Sequence, residues 1–247
     1  MTKRKGSYRR GYPVALLVGF EADRAALWQV FSHVVKPLVT VRLAGRRADE
    51  RAVYNFHESV VDALRPVLKE GVRSIVAAAP AKTTYASDFL NHARKHHGYL
   101  FQPNVPNRVT FAELVGSADQ PHEVAELVKT REFRRSIEET TSGEADFIVD
   151  ALEKRLNSVG AGSVVLFSLK EIEDVVYDRE RQGDFRSEYL MLTDKYLADS
   201  QDKSRIHRLL QIAGNRKVKT RIVKAEAPAG KRISQFGGIV FFTIPTK

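Results

Sequence analysis

Cysteine is missing from all 247 residues. Its absence excludes disulfides, thiolate metal ligands and a cysteine nucleophile, and it fits an intracellular chain. Long apolar runs are missing too. The longest candidate, residues 14–20, has the length of a buried strand, far short of the ~18 residues that cross a bilayer. No apolar h-region follows the charged N-terminus, so neither a secretory signal nor a membrane partner is expected, and a cytoplasmic location is. Histidine is sparse, seven in all. His92, His96 and His97 lie close together, but no carboxylate beside them completes a ligand set. A solvated helix face is expected there, with no metal ligand and no cofactor assigned.

What the chain does have is positive charge, +10 at neutral pH, and it is concentrated. Lys3, Arg4, Lys5, Arg9 and Arg10 crowd the first ten residues beside Tyr8. Between positions 203 and 232, ten Lys and Arg face a single carboxylate, Glu226. Such blocks attract phosphate with a strong dependence on salt. One block alone reads equally well as a solubilising surface. Two in one chain point to nucleic acid.

Residues 1–12 read as a flexible basic arm. Residues 14–20 read as a buried strand. Residues 21–35, with Ala25, Leu27, Trp28 and Phe31 near helical spacing, read as a helix. Residues 38–43 alternate as a strand, 44–51 form a polar loop, and 52–69 form a helix kinked or restarted at Pro66. A strand at 72–79, a helix at 84–97 and a short strand at 99–101 follow. This strand–helix order predicts an α/β layer with a mixed sheet. A long helix at 122–140 is interrupted at Thr141-Ser142-Gly143 and resumes over 145–156. A second α/β unit then carries a strand at 164–167, a helix at 169–176, an exposed loop at 178–186, a strand at 189–192, a helix at 204–213 and a strand at 217–223. In that last strand Lys217, Lys219 and Arg221 share one face, either as an RNA contact or as the charged guard of an edge strand. The division expected is an arm at 1–12, one α/β domain at 13–119 and another at 120–247.

The last residues are the most specific. Gly230-Lys231-Arg232-Ile233-Ser234-Gln235-Phe236-Gly237-Gly238-Ile239 leads into the apolar Val240-Phe241-Phe242. This order resembles the close of the C-terminal domain in the Pelota and archaeal/eukaryotic class-1 release factor superfamily. Further segments are similar in the same order. They are residues 74–80 with Asp88-Phe89-Leu90, the helical stretch 132–156, residues 164–176, and the strand 189–194. The resemblance runs from about position 13 to 245. It implies an RNase-H-like α/β domain followed by an α-β-α sandwich of the kink-turn-binding ribosomal-protein type. It implies ribosome, tRNA or rRNA as partners, together with a translational GTPase and the ribosome-splitting ABC ATPase. Only a dozen residues, five of them basic, precede the region of resemblance, so codon reading is not expected.

In release factors of this superfamily a Gly-Gly-Gln loop assists water attack on the peptidyl-tRNA ester, whose transition state develops an oxyanion. The corresponding loop here, 44–51, holds Gly45, Arg46, Arg47 and Arg51 but no Gln. Three readings stay open. The arginines contact phosphate as mobile cations; the loop is a plain connection; or Glu50 or Asp49 orients a water, making the chain a peptidyl-tRNA hydrolase of stalled large subunits. A metal-dependent nuclease lacks clustered carboxylates. The cations expected on RNA are Lys3, Arg4, Lys5, Arg9 and Arg10 in the arm, and Arg46, Arg47 and Arg51 in the loop. The second half adds Arg216, Lys217, Lys219, Arg221, Lys224, Lys231 and Arg232. The leading expectation is a ribosome-binding factor of rescue or quality control without peptide release of its own. A free structured-RNA-binding module is a further alternative.

Overall fold

The computed structural model describes residues 13–32, 34–102, 109–157, 164–178 and 185–245. The basic arm and most of the 178–186 loop therefore lie outside the described residues. The first sheet contains β1 (Pro13–Phe20), β2 (Arg24–Phe31), β3 (Val35–Arg42), β4 (Ser74–Ala79) and β5 (Thr110–Val115), ordered β3-β2-β1-β4-β5. The first three strands are antiparallel neighbours, and β4 and β5 add in parallel. Parallel neighbours need a crossover. Here α1 (Glu50–Lys69) links β3 to β4, and α2 (Tyr85–His96) links β4 to β5. This is the mixed, RNase-H-like layer expected from the sequence.

The helix expected at 21–35 is instead the strand β2 and the start of β3. The reason is a central position in the sheet. Ala25 and Leu27 enter the core under α1 and α2, whereas Ala26, Trp28 and Val30 enter the core on the opposite face. A strand buried on both faces is apolar throughout, and a short apolar run cannot be told from a helix by spacing. The short strand expected at 99–101 is a 3-10 turn, Gly98–Leu100, and β5 corresponds to no expected element. α1 continues past Pro66 to Lys69 as one helix rather than restarting there.

After β5 the chain returns over the sheet. The Trp28 indole donates to the Ala118 carbonyl at 2.7 Å, and Arg24 makes a two-pronged pair with Asp119, both contacts at 2.7 Å. The crossing is close: a Cβ on Gly19 would lie 2.3 Å from the Ala118 oxygen, so only glycine fits. α3 (Pro121–Leu127) and α4 (Arg131–Leu156) follow. The single helix expected at 122–140 is thus broken at Thr130, whose hydroxyl caps α4 by accepting from Phe133 N–H at 3.1 Å. The interruption expected at Thr141-Ser142-Gly143 does not occur. The Thr140 and Thr141 hydroxyls donate to carbonyls one turn back, 2.8 Å to Ser136 and 2.6 Å to Ile137, so the helix absorbs its polar residues.

α4 is common to both cores. Phe133 and Ile137 pack on the first sheet, and Ala145, Ile148 and Leu152 on the second. The second sheet has β6 (Val165–Leu166), β7 (Phe185–Thr193), β8 (Lys219–Val223) and β9 (Ile239–Pro245), ordered β6-β9-β7-β8. α5 (Leu169–Tyr177), α6 (Asp194–Asp199), α7 (Lys203–Asn215) and α8 (Pro228–Gln235) complete the unit. Ile172, Ile206 and Leu209 of α5 and α7 cover one face, and α4 with Ile233 of α8 covers the other. That is the expected α-β-α sandwich. Gly237 and Gly238, at φ of +94° and +88°, turn the chain from α8 into β9, a conformation costly for residues with a Cβ.

Candidate nucleic-acid interface

The loop between β3 and α1 is fastened at its base. Leu43 N–H donates to the Asp23 carbonyl at 2.7 Å. The Asp49 side chain caps α1 by accepting from Arg51 N–H at 2.9 Å and Ala52 N–H at 3.2 Å. Gly45 sits at φ +134°, and a Cβ there would lie 2.9 Å from that of Ala52. Arg47 is not the mobile cation expected. Its guanidinium donates to the carbonyls of Ala22 at 2.7 Å and Glu21 at 2.5 Å, and stacks 3.8 Å over the Tyr85 ring. Burial draws its pKa below the ordinary arginine value against the pull of Tyr85, Asp88 and Asp23. Arg46 and Arg51 flank this anchor, are exposed, and have no ion pair among the described residues. Glu50 is exposed in the first turn of α1.

The second cationic block is built differently. β8 is an edge strand, and Lys219 and Arg221 do share a face. That face is not a solvated row. It pairs with Tyr189 and Met191 of β7, on the side covered by α4 and α8. Arg221 is 8% exposed and donates to the Thr220 carbonyl at 2.6 Å. The Lys219 ammonium lies 4.8 Å over the Tyr189 ring, while its stem packs against the turn at Gly71. Lys217 precedes the strand at φ +62° and is exposed. Arg216 donates to the carbonyls of Tyr177 at 3.0 Å and Asp178 at 2.9 Å. Lys224 pairs with Glu138, and Arg232 pairs with Glu153 at 2.7 Å. Lys231 is exposed.

The two blocks therefore do not merge into one cationic surface of equivalent side chains. Arg46, Arg51, Lys217 and Lys231 are the exposed members without an ion pair among the described residues. Lys3, Arg4, Lys5, Arg9 and Arg10 lie outside those residues.

The histidine group also departs from expectation. His96 is exposed, but the side chains of His92 and His97 are only 8% and 9% exposed. A carboxylate does complete the set: Glu58 of α1 lies 2.9 Å from both Nε2 atoms. Among the described residues this trio could hold a metal. Glu58 lies 34 positions upstream of His92 on another helix, so no local spacing announces the trio.

The architecture described above has counterparts among solved structures. Archaeal Pelota, in a model of its ribosome-bound state with ABCE1, superposes with a TM-score of 0.54 at 17% identity, over 98% of this chain and 63% of that one. This chain has the Pelota fold. S. cerevisiae Dom34, a translation termination-like factor of RNA quality control that interacts with Hbs1, gives a TM-score of 0.48 at 17% identity, over 97% of this chain and 65% of that one. The archaeal translation termination factor aRF1 gives 0.32 at 14% identity, over 93% and 61%. The chain thus spans less than two thirds of the length of each of these three structures. No protein-family model and no curated protein matches its sequence. Among the described residues no helix is long and apolar enough to cross a membrane.

Proposed function

We propose that this chain is a translation factor of ribosome rescue or quality control that grips tRNA or ribosomal RNA through the loop after β3. The observation that carries the reading is Arg46 and Arg51, both exposed, on either side of a pinned Arg47. Fixing the base of the loop lowers the ordering cost of engaging phosphate. The Pelota fold supports the ribosome as the setting, and a translational GTPase and a ribosome-splitting ABC ATPase as the protein partners. The absence of a Gln in the loop supports a role without peptide release. The domains are taken to part near 119–120 in sequence, with α3 and the first half of α4 leaning back on the first sheet. Co-sedimentation with ribosomes at low and raised salt tests the reading. Binding that weakens with salt, and weakens further in Arg46→Glu/Arg51→Glu, is the expected result; no co-migration under any condition removes it.

A second reading keeps Glu50 as a water-orienting base, since it alone of the two loop carboxylates is not committed to capping α1. Release of peptide from peptidyl-tRNA on large subunits, lost in Glu50→Ala, would favour it over the first.

A further inference from the structure

We propose that Glu58, His92 and His97 form a binding site for a divalent cation of the zinc class, clamping α1 to α2. Glu58 projects from the middle of α1, His92 from α2, and His97 from the residue that caps α2. One carboxylate oxygen of Glu58 lies 2.9 Å from His92 Nε2 and 2.9 Å from His97 Nε2. All three ligand atoms fall within 4.8 Å of one another. Ligand atoms around a tetrahedral zinc stand roughly 3.4 Å apart, as bonds of about 2.0–2.2 Å require. The trio is therefore close to a coordinating arrangement with only side-chain adjustment.

The donor chemistry is that of an open zinc site, two imidazoles and a carboxylate with a fourth position left for water. His92 and His97 are nearly buried and Glu58 is 29% exposed, so the ligands are held by packing while one side stays reachable from solvent. Without a cation, both Nε2 atoms donate hydrogen bonds to the same oxygen. With one, each ring carries its proton on Nδ1 and turns the Nε2 lone pair to the metal. A separate observation adds weight. His57, one residue before Glu58, is 3% exposed, its Nε2 has no hydrogen-bond partner among the described residues, and its ring lies 5.0 Å from that of His92. An unsatisfied polar atom buried beside a ligand-like trio marks a polar pocket rather than ordinary core.

This site lies apart from Arg46 and Arg51, and it stands or falls without the ribosome. The full chain, stripped with a chelator and dialysed, is titrated with Zn²⁺, Co²⁺ and Mg²⁺. The expected result is one equivalent of Zn²⁺ bound, a raised thermal midpoint, and the intense visible absorption of tetrahedral Co²⁺, with no response to Mg²⁺. Glu58→Gln and His92→Gln, each checked by circular dichroism, should weaken binding by about a hundredfold or more, while His122→Gln, outside the trio, leaves it unchanged. Glu58 is the least buried of the three ligands, with a side chain 29% exposed, so Glu58→Gln decides the matter if His92→Gln unfolds. Stripped protein that gains neither bound Zn²⁺ nor thermal stability overturns the proposal. Stoichiometric binding that survives both Glu58→Gln and His92→Gln also overturns it.

Discussion

The loop at 44–51 and the segment at 216–232 are both rich in cations, yet the fold uses them in opposite ways. In the loop one arginine of three is anchored, and the two that flank it are exposed. In the C-terminal segment Arg216, Lys219, Arg221, Lys224 and Arg232 all engage the protein itself, by carbonyl hydrogen bonds, ring contacts or ion pairs. Net charge therefore overstates the surface offered to phosphate. A guanidinium is also a five-donor cross-link, and its long apolar stem packs well in a half-buried position. Whether an arginine serves RNA or the fold depends on the carbonyls within its reach, which composition does not reveal.

The contrast breaks most sharply at Arg221. Arg221→Glu places a carboxylate where a buried guanidinium faces the Thr220 carbonyl, and should cost about 3–5 kcal/mol of stability in a denaturant titration. Arg221→Glu with unchanged stability but reduced ribosome binding would mean this arginine belongs with Arg46. Arg47→Ala is the loop's counterpart. It removes two charge-assisted hydrogen bonds and the stack on Tyr85, and should cost about 2 kcal/mol. If the loop grips RNA as proposed, loss of the anchor should weaken that binding as well, because the base of the loop is then no longer fixed.

A third arginine, Arg24, is engaged internally with Asp119, and here the prediction is read through pH. Its paired hydrogen bonds hold the Asp119 carboxyl below the usual 3.8. A carboxyl depressed in the folded state adds stability that is complete above the unfolded value and is lost as pH falls through the folded one. Wild type should therefore lose stability below pH 3.8 more steeply than Asp119→Asn. Identical acid-unfolding profiles would deny the pair a role in joining β2 to the return segment.

The outward arrangement of the helices was readable in the sequence where burial is one-sided. α1 showed Phe56, Val60, Leu64 and Val67 on one stripe, and the Gly237-Gly238 turn into an apolar strand stood out unaided. Legibility failed where burial is two-sided or where partners are remote. β2 is apolar on both faces, so its period of two was hidden. α4 carries a Thr-Ser-Gly stretch that reads as a break but is tolerated because both ends of the helix are packed. Of the site, the loop and its lack of Gln were legible. The pinning of Arg47, the inward face of β8 and the approach of Glu58 to His92 were not. Each depends on atoms brought together by the sheet rather than by neighbouring positions.

The smallest effect on stability should accompany the clearest effect on binding. Arg46→Ala and Arg51→Ala remove exposed side chains without an ion pair among the described residues, so each should change stability by no more than about 0.5 kcal/mol. If each contacts one phosphate, each should also lower the slope of log affinity against log salt by about 1, measured with tRNA or ribosomes. Lys219→Ala is the matched control from the other block. Its ammonium already sits over Tyr189 and its stem over Gly71, so it should leave the salt slope alone while lowering stability. Equal slopes for Arg46→Ala, Lys219→Ala and wild type would erase the distinction between the two blocks. A loss confined to the loop variants would locate the phosphate contact at the start of α1, where the helix N-terminus adds its own attraction for anions.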